Sequence, residues 1–556
     1  MSAGYQNGYR VWVIGLDGAT FDIITPWVEA GHLPTFARLM REGTWGEMRS
    51  TIPPITGPAW SSFMTGTNPG KHGVFDWTYR RPGSYDFPPV TGENIRQTPL
   101  WEIAGQAGKR VLVLNVPMTF PPETVNGMLV SGMPATELFT YPKELAVKIK
   151  QLIPDYVVYP DPGQAYSDQG IQTFLEKVDR SITTGLQLWH TATSWESWDF
   201  AMILFNATDV VQHAMWKFMS PEHPQYNAAK AKKWGDSILN VYKRFDAALA
   251  EIMNKMDDHT VLWVMSDHGF GPFHTFIHVN TWLMREGLLV VRSNLFTRLK
   301  SLLFRLGFSP MPVYNFLMSI GLGKLKREVV RGKSKKLRLI FLSFDDVDWG
   351  KTIAYSLGNI GQIRINLKGR EPLGCVEPGA DYERVAADII DRLSKLRDPK
   401  SGEPVIEKIY RRSEVYAGDA AEDGPDILFL PRRLEYFGFG EYEFGDHRVI
   451  VPVARGISGT HRMNGIGLSW GKPVRPTQLH NARLEDLTPT ILHLMCLPIP
   501  AHIDGRPLLE ALRAEADLPP PRQSAALSSR TRSVSGLSEE DEQTVRKRLK
   551  DLGYVA

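Results

Sequence analysis

Short runs of consecutive apolar residues alternate along the chain with longer stretches in which apolar residues recur every three or four positions. Residues 11–16 (VWVIGL), 110–116 (RVLVLNV), 128–130, 201–205 (AMILF), 260–265 (TVLWVM) and 426–430 (DILFL) are continuous runs, the pattern of strands buried on both faces. Residues 349–367 are also rich in β-forming types. Between these runs, residues 34–41 (closed by Gly43), 174–191, 234–255, 382–396 and 484–497 carry helical periodicity. Regular alternation of the two patterns predicts an α/β fold around a mostly parallel sheet.

The residues placed just after the apolar runs are chemically selective. Asp17 follows the first run, and the run at 201–205 leads into NATDVVQHAMW. If that segment is helical, Asp209 and His213 lie one turn apart on one face, within reach of a single cation. The run at 260–265 ends in Ser266-Asp267-His268-Gly269, where the glycine permits a tight turn with carboxylate and imidazole projecting together. His461 sits in a glycine-rich loop, GISGTHRMNGIGLSWG, ahead of the strand-like residues 465–470. In open α/β sheets ligands bind outside the carboxyl ends of the strands, so such a sheet gathers these groups at one edge.

One hydroxyl joins them. In TIPPITGPAWSSFMTGTNPGKHG, Thr56 reads as the N-cap of a helix with Gly57 and Pro58 at its first two positions, continuing through Trp60, Phe63 and Met64. A helix N-terminus suits a phosphate-like anion, which makes Thr56 the candidate nucleophile. Taken singly, each feature also has a structural reading as a turn Asp, a capping Thr or a hydrogen-bonded His. Together, three carboxylates and three imidazoles suit two zinc-like ions.

Composition narrows the setting. With 556 residues and 43% apolar content the chain can bury a large core, as one domain with insertions or as two to three domains. It holds only Cys375 and Cys496, opens with MSAGYQNGYR directly before the first strand, and has no apolar run approaching the roughly 20 residues of a membrane span. These features lead to the expectation of a cytoplasmic protein. The net charge of +3 hides an imbalance: residues 292–338 hold twelve Lys or Arg and one acid, Glu328, so that segment carries +11 and the remainder −8. Leu295, Leu299, Leu302, Leu303 and Leu306 recur at helical spacing, with Arg298, Lys300 and Arg305 interleaved. The expected organisation is a catalytic core over 1–290 and 346–512, a basic helical cap inserted at 291–345, and a linker with a final short helix over 513–556. The cap's charge suits either steering of anionic substrates or docking on an anionic membrane surface. No specific nucleic-acid binding is expected, and the oligomeric state is open.

The stretch from Thr56 onward reads T-x-P-x₆-TG-x₂-P-x₂-HG, carried by Thr56, Pro58, Thr65, Gly66, Pro69, His72 and Gly73. With Asp17, the Asp209/His213 pair, the Ser-Asp-His-Gly turn and a late Gly-Thr-His, the chain resembles the alkaline phosphatase superfamily, closest to its type I phosphodiesterase/nucleotide pyrophosphatase branch, over about residues 10–512. The resemblance implies an α/β/α sandwich and a site with two divalent ions, zinc first, with manganese or iron as alternatives. By it, Asp17, Asp267 and His268 hold one ion, which also meets the Thr56 hydroxyl, and Asp209, His213 and His461 hold the other. It implies hydrolysis of phosphodiester or pyrophosphate bonds through a phosphothreonine, with retention at phosphorus. Nucleotides, lipid head groups and sugar phosphates are all candidate substrates. Trp77 stands where that branch commonly carries an asparagine donor, and no phosphatase-type arginine adjoins the nucleophile. A phosphomonoesterase, a phosphotransferase, or a metal-binding module without turnover are the alternatives. Sulfate-ester hydrolysis is disfavoured, because Thr56 occupies the position of the Cys or Ser that sulfatases convert to formylglycine.

Overall fold

The structure is a computed structural model, and it describes residues 8–135, 137–160, 168–319, 340–440, 444–454, 456–516, 518–530 and 542–546. Five apolar runs become β1 (Arg10–Leu16), β3 (Val111–Val116), β4 (Gly127–Ser131), β6 (Phe200–Phe205) and β7 (Thr260–Met265), and two strands that the pattern did not single out, β2 (Thr44–Arg49) and β5 (Thr140–Tyr141), join them. With Asn464–Trp470 and two short strands they form a ten-stranded sheet, whose order runs Thr477–Gln478, β2, Asn464–Trp470, β7, β1, β6, β3, β4, β5. The five strands β7, β1, β6, β3 and β4 are mutually parallel, and Asn464–Trp470 pairs antiparallel with both β7 and β2. Every residue of β3, β6 and β7 is buried, as continuous apolar runs require once helices cover both faces.

Register decides what meets at the sheet edge. β1 lies between β6 and β7, with Leu16 opposite Phe205 and Gly15 opposite Met265, so the three chains leave the sheet at one level. A second, smaller hydrophobic core forms around the antiparallel strands Ala354–Tyr355, Gln362–Ile365, Ile427–Pro431 and Ile406–Arg411, backed by the helix Ala380–Ser394. Asp76 ties the two bodies together. Its carboxylate accepts from Trp77 N (2.6 Å), Asn359 N (2.7 Å), Asn359 Nδ2 (2.9 Å) and Gln362 Nε2 (2.6 Å).

Several local expectations change. Thr56 is not the N-cap: Ile55 takes that place, and Thr56 opens the ten-residue helix Thr56–Thr65, every residue of which is buried. The helix expected over 234–255 is broken into Ala228–Trp234 and Ser237–Lys255, because Gly235 and Asp236 end the first and precede the second. In the basic insert, Leu295–Arg305 and Pro310–Ser319 are helical, while residues 320–339, which carry most of its charge, lie outside the described residues. So does the capping sequence at 538–541. Beyond Leu512 the chain stays on the core: Gln523–Ser524 pairs with Ile499–Pro500, and Arg530 donates to Glu123 at 2.7 Å. Among the described residues no helix is long and apolar enough to cross a membrane.

His72, from the motif loop, is a structural residue. Its Nδ1 accepts from Val74 N at 3.1 Å, which leaves Nε2 as the donor toward Ser62 Oγ at 3.0 Å. Burial pushes this imidazole down from 6.5 to about 3. Between those values the unfolded chain binds a proton that the folded chain does not, so stability is full above 6.5 and falls as pH drops toward 3, by up to about 1.4 kcal/mol per pH unit. Urea midpoints measured between pH 7 and pH 5 should therefore fall less steeply in His72→Asn than in the parent; equal slopes would remove His72 as the cause.

Candidate metal centre

The site grows from three neighbouring strand ends. Asp17 follows β1 directly, Asp209 lies in the first turn of the helix Ala207–Met219 that continues β6, and Asp267 with His268 lies just past β7. His213, one turn after Asp209, brings its Nε2 to 3.3 Å from Asp209 Oδ1. His461 arrives from elsewhere: its strand, Gly459–Arg462, pairs antiparallel with Gly269–Pro272, setting His461 opposite Phe270. That ribbon stacks the His461 ring on His268 with centroids 3.6 Å apart.

The ligand atoms converge. Asp209, His213 and His461 each offer one atom within 4.8 Å of the others, and so do Asp17, Asp209 and His268. Asp209 thus belongs to both groups, whereas the resemblance assigns it to one. Asp267 adjoins the second group, its Oδ2 3.3 Å from His268 Nε2. Thr56 Oγ1 lies 3.2 Å from the same His268 Nε2. All seven expected residues therefore meet in one buried place.

Each imidazole is aimed by its other nitrogen. His213 Nδ1 lies 2.8 Å from Gly459 O, His268 Nδ1 3.0 Å from Gly269 O, and His461 Nδ1 2.9 Å from Pro54 O. A carbonyl only accepts, so each Nδ1 donates in the neutral ring and each Nε2 keeps its lone pair for a cation. Carboxylate orientation is set in the same way. Asp17 Oδ2 accepts from Asn206 Nδ2 (3.1 Å) and Trp60 Nε1 (3.4 Å), and Asp267 Oδ1 from Gly18 N (3.2 Å). Thr208 Oγ1 donates to Asp17 O at 2.6 Å. Gly18 has φ +66, and a Cβ there would stand 2.9 Å from the Phe270 ring, so only glycine fits this turn. The sequence pattern did not single out Asn206, Thr208 or Trp60; the signal available for the first two was polar residues directly after a fully apolar strand.

Burial and mutual proximity shift the charges at the site. Burial, together with the neighbouring carboxylates Asp267 and Asp209, pushes Asp17 well above the usual carboxylate range. Burial also carries Asp267 up to about 8. Asp209 goes the other way: burial raises it, but His213 and His461 beside it outweigh that and hold it well below its ordinary value. Burial lowers both His268 and His461, whereas for the half-buried His213 desolvation is outweighed by Asp209, which raises it. Asp17 Oδ1 and Asp267 Oδ2 are buried with no hydrogen-bond partner among the described residues. Two such oxygens beside three imidazoles whose Nε2 atoms point inward are the donor set of hard-to-borderline divalent ions, and the residues fit that role.

Trp77 is fully buried, and a Cβ on Gly57 would stand 3.7 Å from its ring, so an indole packs beside the start of the Thr56 helix.

Solved structures share this fold at low identity. Phosphonoacetate hydrolase from Sinorhizobium meliloti 1021 superposes with a TM-score of 0.50 at 14% identity, over 87% of this chain and 94% of that one. A mutant of the alkaline phosphatase PafA gives 0.50 at 12% identity, over 90% of this chain and 98% of that one. Among curated proteins no sequence matches the chain. The description "Type I phosphodiesterase / nucleotide pyrophosphatase" matches residues 11–441, which span every site residue except His461. The chain belongs to the type I phosphodiesterase/nucleotide pyrophosphatase family and is a phosphoric ester hydrolase.

Proposed function

We propose that the protein cleaves phosphodiester or pyrophosphate bonds in two displacements, with Thr56 as the nucleophile. The observation that carries this reading is the position of Thr56 Oγ1, 3.2 Å from His268 Nε2 and at the first residue of a buried helix. In that place the positive end of the helix faces the phosphoryl oxygens. Thr56 Oγ1 forms a bond to phosphorus as the alcohol or phosphate group on the far side leaves. Water then breaks the phosphothreonine from the opposite side, and two inversions leave the configuration retained. Asp17, Asp267 and His268, with Thr56, would hold one divalent ion, and Asp209, His213 and His461 the other, zinc being favoured by the mixed His/Asp set. When bound, the ions supply charge that lowers the threonine pKa and neutralises the leaving oxygen. The rest is positioning by the chain: Asn206 and Trp60 orient Asp17, Gly18 orients Asp267, and three backbone carbonyls orient the imidazoles. Two cysteines in 556 residues, too few for a disulfide framework, support a reducing compartment, the cytoplasm.

Thr56→Ala should lower kcat on nitrophenyl mono- and diesters by about three orders of magnitude or more, because loss of a covalent nucleophile removes the low-barrier route. Activity within about tenfold of the parent would end the nucleophile assignment.

Because Asp209 reaches both ligand groups, metal content separates it from its neighbours. Elemental analysis of natively purified protein should find two ions per chain, about one in His213→Ala and fewer in Asp209→Ala. Equal metal content in the two variants would refute the shared position of Asp209, and the same measurement identifies zinc, manganese or iron.

A further inference from the structure

Exposed apolar side chains are concentrated in one place. Of the thirteen large hydrophobics that stand exposed among the described residues, eight lie between residues 295 and 340: Leu295, Phe296, Leu299, Leu302, Leu306, Phe308, Phe316 and Ile340. An isolated exposed leucine needs no explanation, but a contiguous set marks a surface that meets something apolar.

The helix Leu295–Arg305 and its C-cap Leu306 present five of the eight, and its roll is locked the wrong way round for packing. At about 100° per residue, Leu295, Leu299, Leu302 and Leu306 fall within about 60° of arc, and Thr297, Lys300 and Phe304 lie on the opposite side. That opposite side is the buried one. Lys300 Nζ meets Asp346 Oδ2 at 2.9 Å, with both side chains almost fully enclosed. Thr297 Oγ1 donates to the same carboxylate at 3.1 Å, and the Phe304 ring packs near Phe444. Rolling the helix to hide its leucines would pull a lysine out of a buried ion pair and strand Asp346, a change that buried pairs resist strongly. The leucine stripe is therefore held outward, Leu295 at 85% and Leu306 at 76% exposure.

Charge identifies the occupant. Arg298 and Arg305 flank the stripe on one side, both exposed, and no Asp or Glu occurs in the sequence between Glu286 and Glu328. A second copy seated on this face would bring arginine against arginine with no acid to pair, which disfavours self-association. An anionic bilayer offers apolar chains for the leucines and phosphate for the arginines at one depth, the arrangement of an interfacial amphipathic helix. We propose that the helix Leu295–Arg305 docks the protein peripherally on membranes containing anionic lipid. The proposal stands apart from the reaction, since none of these residues belongs to the metal centre.

Cosedimentation of the full-length protein with vesicles tests it, comparing phosphatidylcholine alone with mixtures holding about one third phosphatidylglycerol. The native protein should bind the anionic vesicles and leave the neutral ones. The combined variant Leu299→Ser, Leu302→Ser, Leu306→Ser should lower partitioning by about tenfold or more. Arg298→Glu with Arg305→Glu should weaken it and flatten its dependence on salt. Both variants should hydrolyse a soluble nitrophenyl ester at the native rate, which reports that they fold. Absence of vesicle binding by the native protein, or binding unchanged in both variants, overturns the proposal. A leucine-dependent dimer in sedimentation velocity without vesicle binding would assign the stripe to self-association instead.

Discussion

Like charges forced together where water does not reach are the constraint on which this structure turns. β7, β1 and β6 lie side by side, so the pairing that builds the sheet also brings Asp267, Asp17 and Asp209 to one edge. An isolated buried carboxylate costs several kcal/mol to keep ionised, and three within one pocket cost more than hydrogen bonds alone recover. The chain spends donors from Asn206, Trp60 and Gly18 on Asp17 Oδ2 and Asp267 Oδ1, and leaves Asp17 Oδ1 and Asp267 Oδ2 without any among the described residues. Asp17 belongs to a residue group that fits a divalent ion, and Asp267 adjoins it.

The imidazoles show the same division of labour. Each gives Nδ1 to a backbone carbonyl and turns Nε2 inward, but the carbonyls belong to Pro54, Gly269 and Gly459, in different parts of the chain. Tautomer and aim are thus set by tertiary packing for His213 and His461, and by the next residue's carbonyl for His268. The ribbon between Gly269–Pro272 and Gly459–Arg462 carries particular weight, because a one-residue slip would turn His461 to its other face. Asp76 performs a related task at larger scale, since its bonds to Asn359 and Gln362 join the loop beyond the Thr56 helix to the second core. The Thr56 helix is therefore held from both bodies of the molecule.

Strand existence and ligand chemistry were legible in the linear chain, because fully buried parallel strands leave unbroken apolar runs and the selective residues stand immediately after them. Asp17, the Asp209/His213 pair and Asp267-His268 could be read this way, and helical spacing alone places Asp209 and His213 on one face. His461 was visible only as one more member of a set, since nothing local distinguishes it. What the chain by itself determined is thus the inventory: which residue types are available, and on which kind of element each is carried.

Tertiary structure alone decided how that inventory is used. The side-by-side order of β7, β1 and β6 places Asp209 in reach of both ligand groups, and strand order depends on packing among segments roughly 200 residues apart. Thr56 falls inside its helix because Ile55 takes the extended cap conformation, a choice of backbone that the threonine's cap preference did not foretell. The leucine helix makes the point from the other side. Periodicity announces an apolar face wherever leucines recur at helical spacing, and the usual inference is that this face packs inward. Here Asp346, 46 residues downstream of Lys300, captures the opposite face in a buried ion pair and turns the leucines out. An amphipathic pattern fixes the angle between two faces of a helix, whereas which face meets the body is settled by partners that lie far away along the chain.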